Sequence, residues 1–135
     1  MTARANSWLT VRPTYTFTDA VIARNDPAPL TVGKQIPFVP RHVAAGTVSG
    51  VVKQLTLTGT ARYQTAVFAL DTNADTTKGV PGSYDEFFEV DAAANYRLGR
   101  HLTVTVSGEN LLDRHYYLFY RNPGRVVMAG ARVRY

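Results

Sequence analysis

The chain has 135 residues, no cysteine and a net charge of +5, with twelve arginines and three lysines against ten acidic residues. Without cysteine it has no disulfide framework and no thiolate metal site, and no apolar run reaches the roughly 18 residues of a transmembrane helix. The arginines are scattered one per segment and form no basic run, so we do not expect nucleic acid as a partner.

The first seven residues, Met1 to Ser7, carry arginine but no apolar segment and no cleavage site of small residues. A secretory signal peptide requires both of these features. We therefore expect no signal peptide in this chain.

Six segments alternate apolar and polar residues, which is the pattern of strands with one apolar and one polar face. In chain order they are Leu9 to Thr18, Arg41 to Val48, Leu55 to Tyr63, Phe88 to Leu98, Leu102 to Asn110 and Val126 to Tyr135. The second is the least regular, because small residues at 44–46 blur its period. The clearer segments have the length that a tilted strand needs to cross a bilayer.

The connections between these segments alternate between short and long. Few residues separate the second strand from the third and the fourth from the fifth, whereas residues 24–40, 66–87 and 111–125 form long connections. Outer-membrane barrels alternate tight periplasmic turns with long external loops in this way. We therefore predict an all-β fold, an antiparallel up-and-down meander of about six strands that is part of a transmembrane β-barrel, with its hairpins turning near Val51 and Gly99.

Five short motifs occur in order along the chain. They read YTFTDA at residues 15–20, IPFVPRH at 36–42, VPGSY at 80–84, NLLD at 110–113 and PGR at 123–125, followed by an alternating last strand that ends on Tyr135. In this order and spacing they resemble the C-terminal part of the barrel of TonB-dependent outer-membrane receptors.

The resemblance implies an architecture and a location. Receptors of this family have a barrel of about 22 strands with an N-terminal plug in its lumen. Residues 1–135 would be the C-terminal portion of such a barrel, with the plug domain and the earlier strands absent. The implied place is the outer membrane of a Gram-negative cell, and the implied activity is uptake of a scarce substrate such as an iron siderophore, of which this piece alone would not be capable.

The same resemblance implies partners rather than chemistry. Those partners are outer-membrane lipid, the remainder of the barrel and plug, the TonB system acting through the plug, and the barrel assembly machinery. We expect no cofactor, no metal and no enzyme activity, since no catalytic constellation is present and Asp113 with His115 lacks a third ligand.

Three sets of site residues follow. We expect a structural role, in strand ends and turns, for the family motif residues Asn110, Leu111, Asp113, Tyr116, Pro123, Gly124 and Arg125, with Arg125 pairing with Asp113 across the loop. We expect ligand contact from the aromatic and arginine-bearing loop residues Tyr116, Tyr117, Phe119, Tyr120 and Arg121, which have an alternative place in the aromatic girdle of the barrel. We expect Val133 and Tyr135 to serve as an assembly signal.

Two other interpretations stay open at this point. Alternation also occurs in soluble β-sandwiches, so the chain is alternatively a soluble all-β binding module whose arginines hold an anionic ligand or nucleic acid. A free-standing small outer-membrane barrel is less favoured, because it needs about eight strands.

Overall fold

The computed structural model describes residues 3–4 and 8–135, and its main element is one antiparallel sheet. Its strands are β1 (Ala3–Arg4), β2 (Leu9–Phe17), β3 (His42–Val52), β4 (Leu55–Gln64), β5 (Phe87–Leu98), β6 (Leu102–Glu109) and β9 (Val126–Val133), and they pair in that order. Two short strands, β7 (Tyr117–Leu118) and β8 (Tyr120–Arg121), form a separate hairpin, and a 3-10 turn spans Pro29–Thr31. In the described part of the chain, no helix is long and apolar enough to cross a membrane.

The predicted meander of six strands is confirmed, because each long strand pairs with its neighbour in sequence. The largest difference is in β3, which runs to Val52, so that the turn to β4 contains only Lys53 and Gln54. Small residues blur the sequence pattern of β3, but its backbone forms a continuous ladder with β4 from Val43 to Val52. The signal-peptide expectation concerns residues 1–7, of which 1, 2 and 5–7 lie outside the described residues.

The sequence analysis did not identify β1, β7 and β8. Each of these strands has two residues, too few for alternation to be recognised. The β7–β8 hairpin turns at Phe119, which has a left-handed backbone with φ of 70°. This hairpin occurs inside the long connection between β6 and β9, for which the sequence analysis predicted no strand.

The pairing register sorts the strand residues onto two faces, since directly paired residues of antiparallel strands share a face. One row across four strands is Leu57, Ala94, Val106 and Ala129, and the adjacent row on the other face is Thr58, Ala93, Ser107 and Met128. The apolar face is therefore continuous from β2 to β9. The other, polar face is composed mainly of Thr, Ser, Asn and charged residues.

Aromatic residues mark both ends of the apolar face. At the end where the long connections lie, here called the loop end, the face carries Tyr15, Phe17, Tyr63 and Phe88. At the opposite end, the turn end, it carries Tyr96, and the exposed Tyr135 follows the last strand there. The interval from Phe88 to Tyr96 spans roughly 26 Å of extended strand, or about 20 Å at a barrel tilt of about 40°. This height is close to the apolar band of an outer-membrane barrel.

The two faces predict unequal effects of an introduced charge. Val106 lies near the middle of the apolar face, and Ser107 follows it on the polar face. If the sheet is part of a membrane barrel, as the motifs imply, Val106→Arg in the complete protein should lower the free energy of unfolding by about 2–4 kcal/mol, because the charge would face hydrocarbon. The measurement is the denaturant midpoint of that protein in phospholipid vesicles.

The matched control is Ser107→Arg, which places the same side chain one residue further along on the opposite face. It should change the midpoint much less than Val106→Arg. Equal losses for the two variants would contradict the assignment of the faces.

Candidate functional site

Three long loops meet at the loop end of the sheet: loop A (residues 18–41), loop B (65–86) and loop C (110–125). Loops A and B are joined by a hydrogen bond from the Phe38 N–H to the Phe68 carbonyl, at 2.8 Å. Loops B and C are joined by backbone bonds that the Phe119 N–H donates to Ser83 and the Asp85 N–H to Tyr117, both at 2.9 Å. The loops therefore form one hydrogen-bonded layer.

Asp85 is the main side-chain link between loops B and C. Its buried carboxylate accepts hydrogen bonds from the backbone N–H groups of Gly79 and Tyr117, at 2.9 and 2.8 Å, and from the Ser83 hydroxyl at 2.8 Å. Burial acts to raise the pKa of Asp85, but these hydrogen bonds outweigh it and hold the pKa below its ordinary value. The ionised carboxylate therefore stabilises the contact between the two loops.

Loop B is also tied to loop A by side chains. The Asn73 carboxamide accepts a bond from the Gln35 N–H at 2.7 Å and donates one to the Gln35 carbonyl at 3.0 Å. Within loop B, the Lys78 ammonium donates to the carbonyls of Val67, Asp75 and Tyr84. These bonds satisfy backbone groups that a loop would otherwise leave to water.

Four aromatic rings run in contact across the three loops, and we call them the aromatic row. Phe38 meets Tyr84 edge to face at 5.3 Å between centroids, Tyr84 meets Phe119 at 6.3 Å, and Phe119 meets Tyr120 at 4.9 Å. Sequence analysis named Phe119 and Tyr120 as candidates for ligand contact and gave Phe38 and Tyr84 only as members of two motifs. The contact of those two with the other rings depends on loop packing, which the motifs do not show.

The predicted ligand-loop residues do not share one environment. Tyr117 is half-buried, while Phe119, Tyr120 and Arg121 are exposed, Tyr120 to 77%. Tyr116 is buried: its hydroxyl donates to Glu89, and its ring stacks on Phe87 at 4.7 Å. Burial and the bond to Glu89 raise the pKa of Tyr116, which keeps the phenol protonated as a donor. These contacts support the structural role of Tyr116, and its contact with a ligand stays a prediction.

The alternative place for these residues, in the aromatic girdle, does not agree with the contacts of Tyr116. Phe87 and Glu89 lie on the polar face, so Tyr116 packs over that face. The aromatic residues on the apolar face at this end lie instead on β2, β4 and β5.

The motif residue Asn110 holds the start of loop C. It is 2% exposed and has a left-handed φ of 48°, a conformation that asparagine tolerates. Its carboxamide accepts from the Arg114 N–H at 2.9 Å and donates to the carbonyls of Arg114 and Pro123, at 2.9 and 3.2 Å. Its own N–H donates to the Asp91 carboxylate at 3.0 Å. These bonds support the structural role predicted for the motif.

Asp113 and Arg125 approach each other, but not as an ion pair. The Asp113 carboxylate accepts a bond from the backbone N–H of Arg125 at 2.9 Å, and no side-chain pair between them is present. This backbone bond is the main cause that lowers the pKa of Asp113. A Cβ at Gly124 would lie 2.8 Å from the same carboxylate oxygen, so this contact favours glycine there. Arg125 and Asp113 therefore do pair across the loop, through the backbone N–H of Arg125 and not through its guanidinium group.

The remaining motif and terminal residues lie where strands begin or end. The Leu111 N–H donates to the Val90 carbonyl at 2.8 Å, and the Leu111 side chain covers Gly108. Val133 pairs with Leu102 on the apolar face, and Tyr135 follows it fully exposed. The assembly role of these two terminal residues stays a prediction.

The lowered pKa of Asp85 predicts acid sensitivity of the loop layer. A carboxylate whose folded pKa lies below its ordinary value of 3.8 contributes stability that is present above that value and lost as the pH falls through the folded pKa. The protection factors of the Tyr117 and Gly79 amides against hydrogen exchange, taken relative to unstructured amides at the same pH, should therefore be high at neutral pH and fall in strong acid. Asp85→Asn should show lower protection at neutral pH and lack the acid transition.

The control for this experiment is Asp71→Asn, which changes another acidic residue of the same loop. It should leave both the exchange rate and the acid transition unchanged. An unaltered transition in Asp85→Asn would assign the pH dependence to another group.

Comparisons with known proteins agree with this architecture. Residues 1–111 match the sequence model of a family described as "TonB dependent receptor-like, beta-barrel". The chain is 28% identical over 134 residues to the "Probable TonB-dependent receptor BfrD" of Bordetella pertussis, covering 90% of this chain and 18% of that protein.

Solved structures show the same fold. The ferric yersiniabactin uptake receptor FyuA of Yersinia pestis superposes with a TM-score of 0.79 at 18% identity, over 98% of this chain and 22% of that one. The siderophore receptor PiuA of Acinetobacter baumannii gives a TM-score of 0.73 at 18% identity, over 98% of this chain and 20% of that one.

The chain thus spans about a fifth of the length of the relatives it matches. Its match to the family model covers most of its residues, and the resemblance noted in the sequence motifs is confirmed. The chain belongs to the β-barrel family of TonB-dependent receptors, outer-membrane proteins that are transporters or receptors and not enzymes, and that work with a plug and TonB.

Proposed function

We propose that residues 1–135 are the C-terminal portion of the barrel of an outer-membrane receptor, whose plug and earlier strands lie outside this chain. We further propose that the complete receptor takes up a scarce substrate such as an iron siderophore. The observation that carries the proposal is the continuous apolar face of the sheet, bounded by aromatic residues and opposed by a polar face. A wall between lipid and a lumen needs this arrangement.

The loop layer supports a ligand site at the outer end of that barrel. Phe119 and Tyr120, the exposed end of the aromatic row, offer flat apolar surface, and the exposed Arg121 beside them offers a positive charge. Solved relatives are described as receptors for siderophores, ferric yersiniabactin and ferric catecholates. Aromatic rings and guanidinium groups suit ferric complexes that carry negative charge and aromatic groups.

Each face and edge of the sheet has a proposed partner. Outer-membrane lipid covers the apolar face, and the plug, through which the TonB system acts, lies against the polar face. The remaining barrel strands extend the sheet, because an unpaired strand edge in hydrocarbon costs several kcal/mol for each unsatisfied backbone group. For the same reason, these residues alone do not transport.

The experiment is siderophore-dependent growth and uptake in a strain that lacks the complete receptor gene. One siderophore from a panel should support growth under iron limitation only when the gene is restored, and uptake of the labelled ferric complex should stop when TonB is removed. The receptor should fractionate with the outer membrane and be heat-modifiable. Recovery of the protein as a soluble monomer without detergent would instead support the soluble anion-binding or nucleic-acid-binding module.

Tyr120 gives a direct test of the ligand loop. Tyr120→Ala in the complete receptor should weaken binding of the ferric complex about tenfold, because it removes an exposed ring from the contact surface. The measurement is the dissociation constant of the purified receptor. Tyr96→Ala, which removes a tyrosine ring at the turn end of the sheet, should leave the dissociation constant unchanged. If both variants weakened binding equally, loop C would not be part of the binding site.

Tyr135 gives a separate test of assembly. Deleting it should lower the amount of heat-modifiable barrel in the membrane, while the receptors that do assemble bind ligand with unchanged affinity. The physical basis is that a terminal aromatic on an alternating strand is available to a partner strand before the barrel closes. Tyr135→Phe keeps the ring and should assemble normally. Normal assembly with weakened binding after the deletion would place Tyr135 in the binding site.

A further inference from the structure

Charge is segregated along the strands of this sheet. All the acidic residues lie in loops A, B and C or within five residues of the loop end of a strand. They are Asp19, Asp26, Asp71, Asp75, Asp85, Glu86, Glu89, Asp91, Glu109 and Asp113. The turn end of the sheet therefore carries no carboxylate side chain.

Four arginines gather at that turn end, and we call them the basic cluster: Arg97, Arg100, Arg132 and Arg134. They line a concavity of about 810 Å³, together with strand residues such as Thr103. The residues that line it include no aspartate or glutamate. The cluster is thus a concave surface of one sign of charge.

The register places the basic cluster on the polar face. Arg97 pairs with Thr103, and Thr103 pairs with Arg132, so the three form one row across β5, β6 and β9. The turn before β6 is tied to the end of β9, since the Arg134 N–H donates to the His101 carbonyl at 2.8 Å. The positions of these arginines are therefore fixed by strand pairing and by this turn.

No aspartate or glutamate side chain of the described residues compensates the cluster. The ion pairs among the described residues are made instead by Arg24, Arg41 and Arg62, which lie outside the cluster. The interval from Asp91 to Arg97 along β5 is about 20 Å of extended strand, which is more than twice the screening length of about 8 Å at physiological salt. The four guanidinium groups are left for a partner that is outside the described residues.

We propose that the basic cluster binds an acidic segment of the same receptor. This segment belongs to the portion of the receptor outside these 135 residues and lies in the lumen of the barrel. This inference rests on the proposed function. The chain spans about a fifth of its relatives, so most of such a receptor lies elsewhere in sequence. If the lumen is filled, guanidinium groups buried there without partners cost free energy, because they lose their contacts with water. Carboxylates can replace those contacts, since they accept two parallel hydrogen bonds from one guanidinium group.

The position of the cluster favours this occupant over lipid phosphate. Arg97 and Arg132 share a face with Thr103, whereas Tyr96, Val104 and Ala131 form the adjacent row on the apolar face. Lipid headgroups meet the apolar side of the wall. An anion that reaches the basic cluster has to lie inside the barrel.

Site-specific photo-crosslinking in the complete receptor tests the inference. A benzophenone amino acid replaces Thr103 in one variant and Val104 in a second, and both receptors are irradiated in native outer membranes. The probe at residue 103 should crosslink within the same polypeptide to a segment rich in Asp and Glu. The probe at residue 104 should crosslink to lipid. Crosslinks from residue 103 to lipid, to a segment without acidic residues, or to nothing would overturn the proposal.

A second experiment tests whether the arginines attract the crosslinked segment or whether that segment is merely nearby. Adding Arg97→Gln and Arg132→Gln to the residue-103 variant should lower the crosslink yield about fivefold at physiological salt. Arg12→Gln neutralises an arginine on the same face outside the basic cluster, and it should leave the yield unchanged. An unchanged yield in the double variant would also overturn the proposal. The amount of heat-modifiable receptor is measured for each variant as a control for folding. If the double variant does not fold, the crosslink of the residue-103 variant, which keeps all its arginines, still tests the proposal.

The two proposals fail in different ways. If substrate uptake is absent but the residue-103 crosslink to an acidic segment is intact, the proposed substrate class is wrong and this inference stands. If uptake is intact but no acidic segment is crosslinked, the seating of that segment on the basic cluster is wrong and the proposed function stands.

Discussion

The backbone of each strand must find its hydrogen-bond partners in the neighbouring strand, and the rest of the structure depends on this constraint. In a wall between hydrocarbon and a lumen, the lipid side offers no donor or acceptor, so a regular ladder is the stable solution. The ladder fixes the register, and the register fixes which side chains share a face. The apolar face, its aromatic ends, the polar face and the basic cluster all follow from the same pairing.

This constraint also explains where the buried residues are. The strands form a single layer, and away from the loop end no second layer of the described residues covers either face. Burial within the chain is concentrated at the loop end, at residues such as Val67, Asp85, Asn110 and Tyr116. The family motif around Asn110 lies there because it connects a strand to a packed loop layer. Its role is to start loop C in a fixed direction, whatever the exposed tip of the loop contacts.

The sequence predicts the ladder well and the loop layer poorly, for a physical reason. Alternation is a local signal, so it found the six long strands and the faces of Val106 and Ser107. Even in β3, where small residues weaken alternation, the error was confined to one strand end. Loop contacts depend on residues far apart in sequence, such as Phe38 with Tyr84. The burial of Tyr116 depends in the same way on Glu89 and Phe87, and no spacing within loop C indicates it.

The bonds that join loops A, B and C use mostly backbone groups and inward-facing polar side chains, such as Asn73 and Asp85. The exposed ring of Tyr120 contacts Phe119 of the same loop, whereas the Phe119 ring also contacts Tyr84 of loop B. The surface that Tyr120 offers is therefore chemically separable from the frame, and the Phe119 ring is part of the frame. Under the proposed function, a substitution at Tyr120 would alter what loop C recognises without loosening the frame. A lineage of such receptors would then be free to change its substrate through a few side chains while it inherits the same barrel wall.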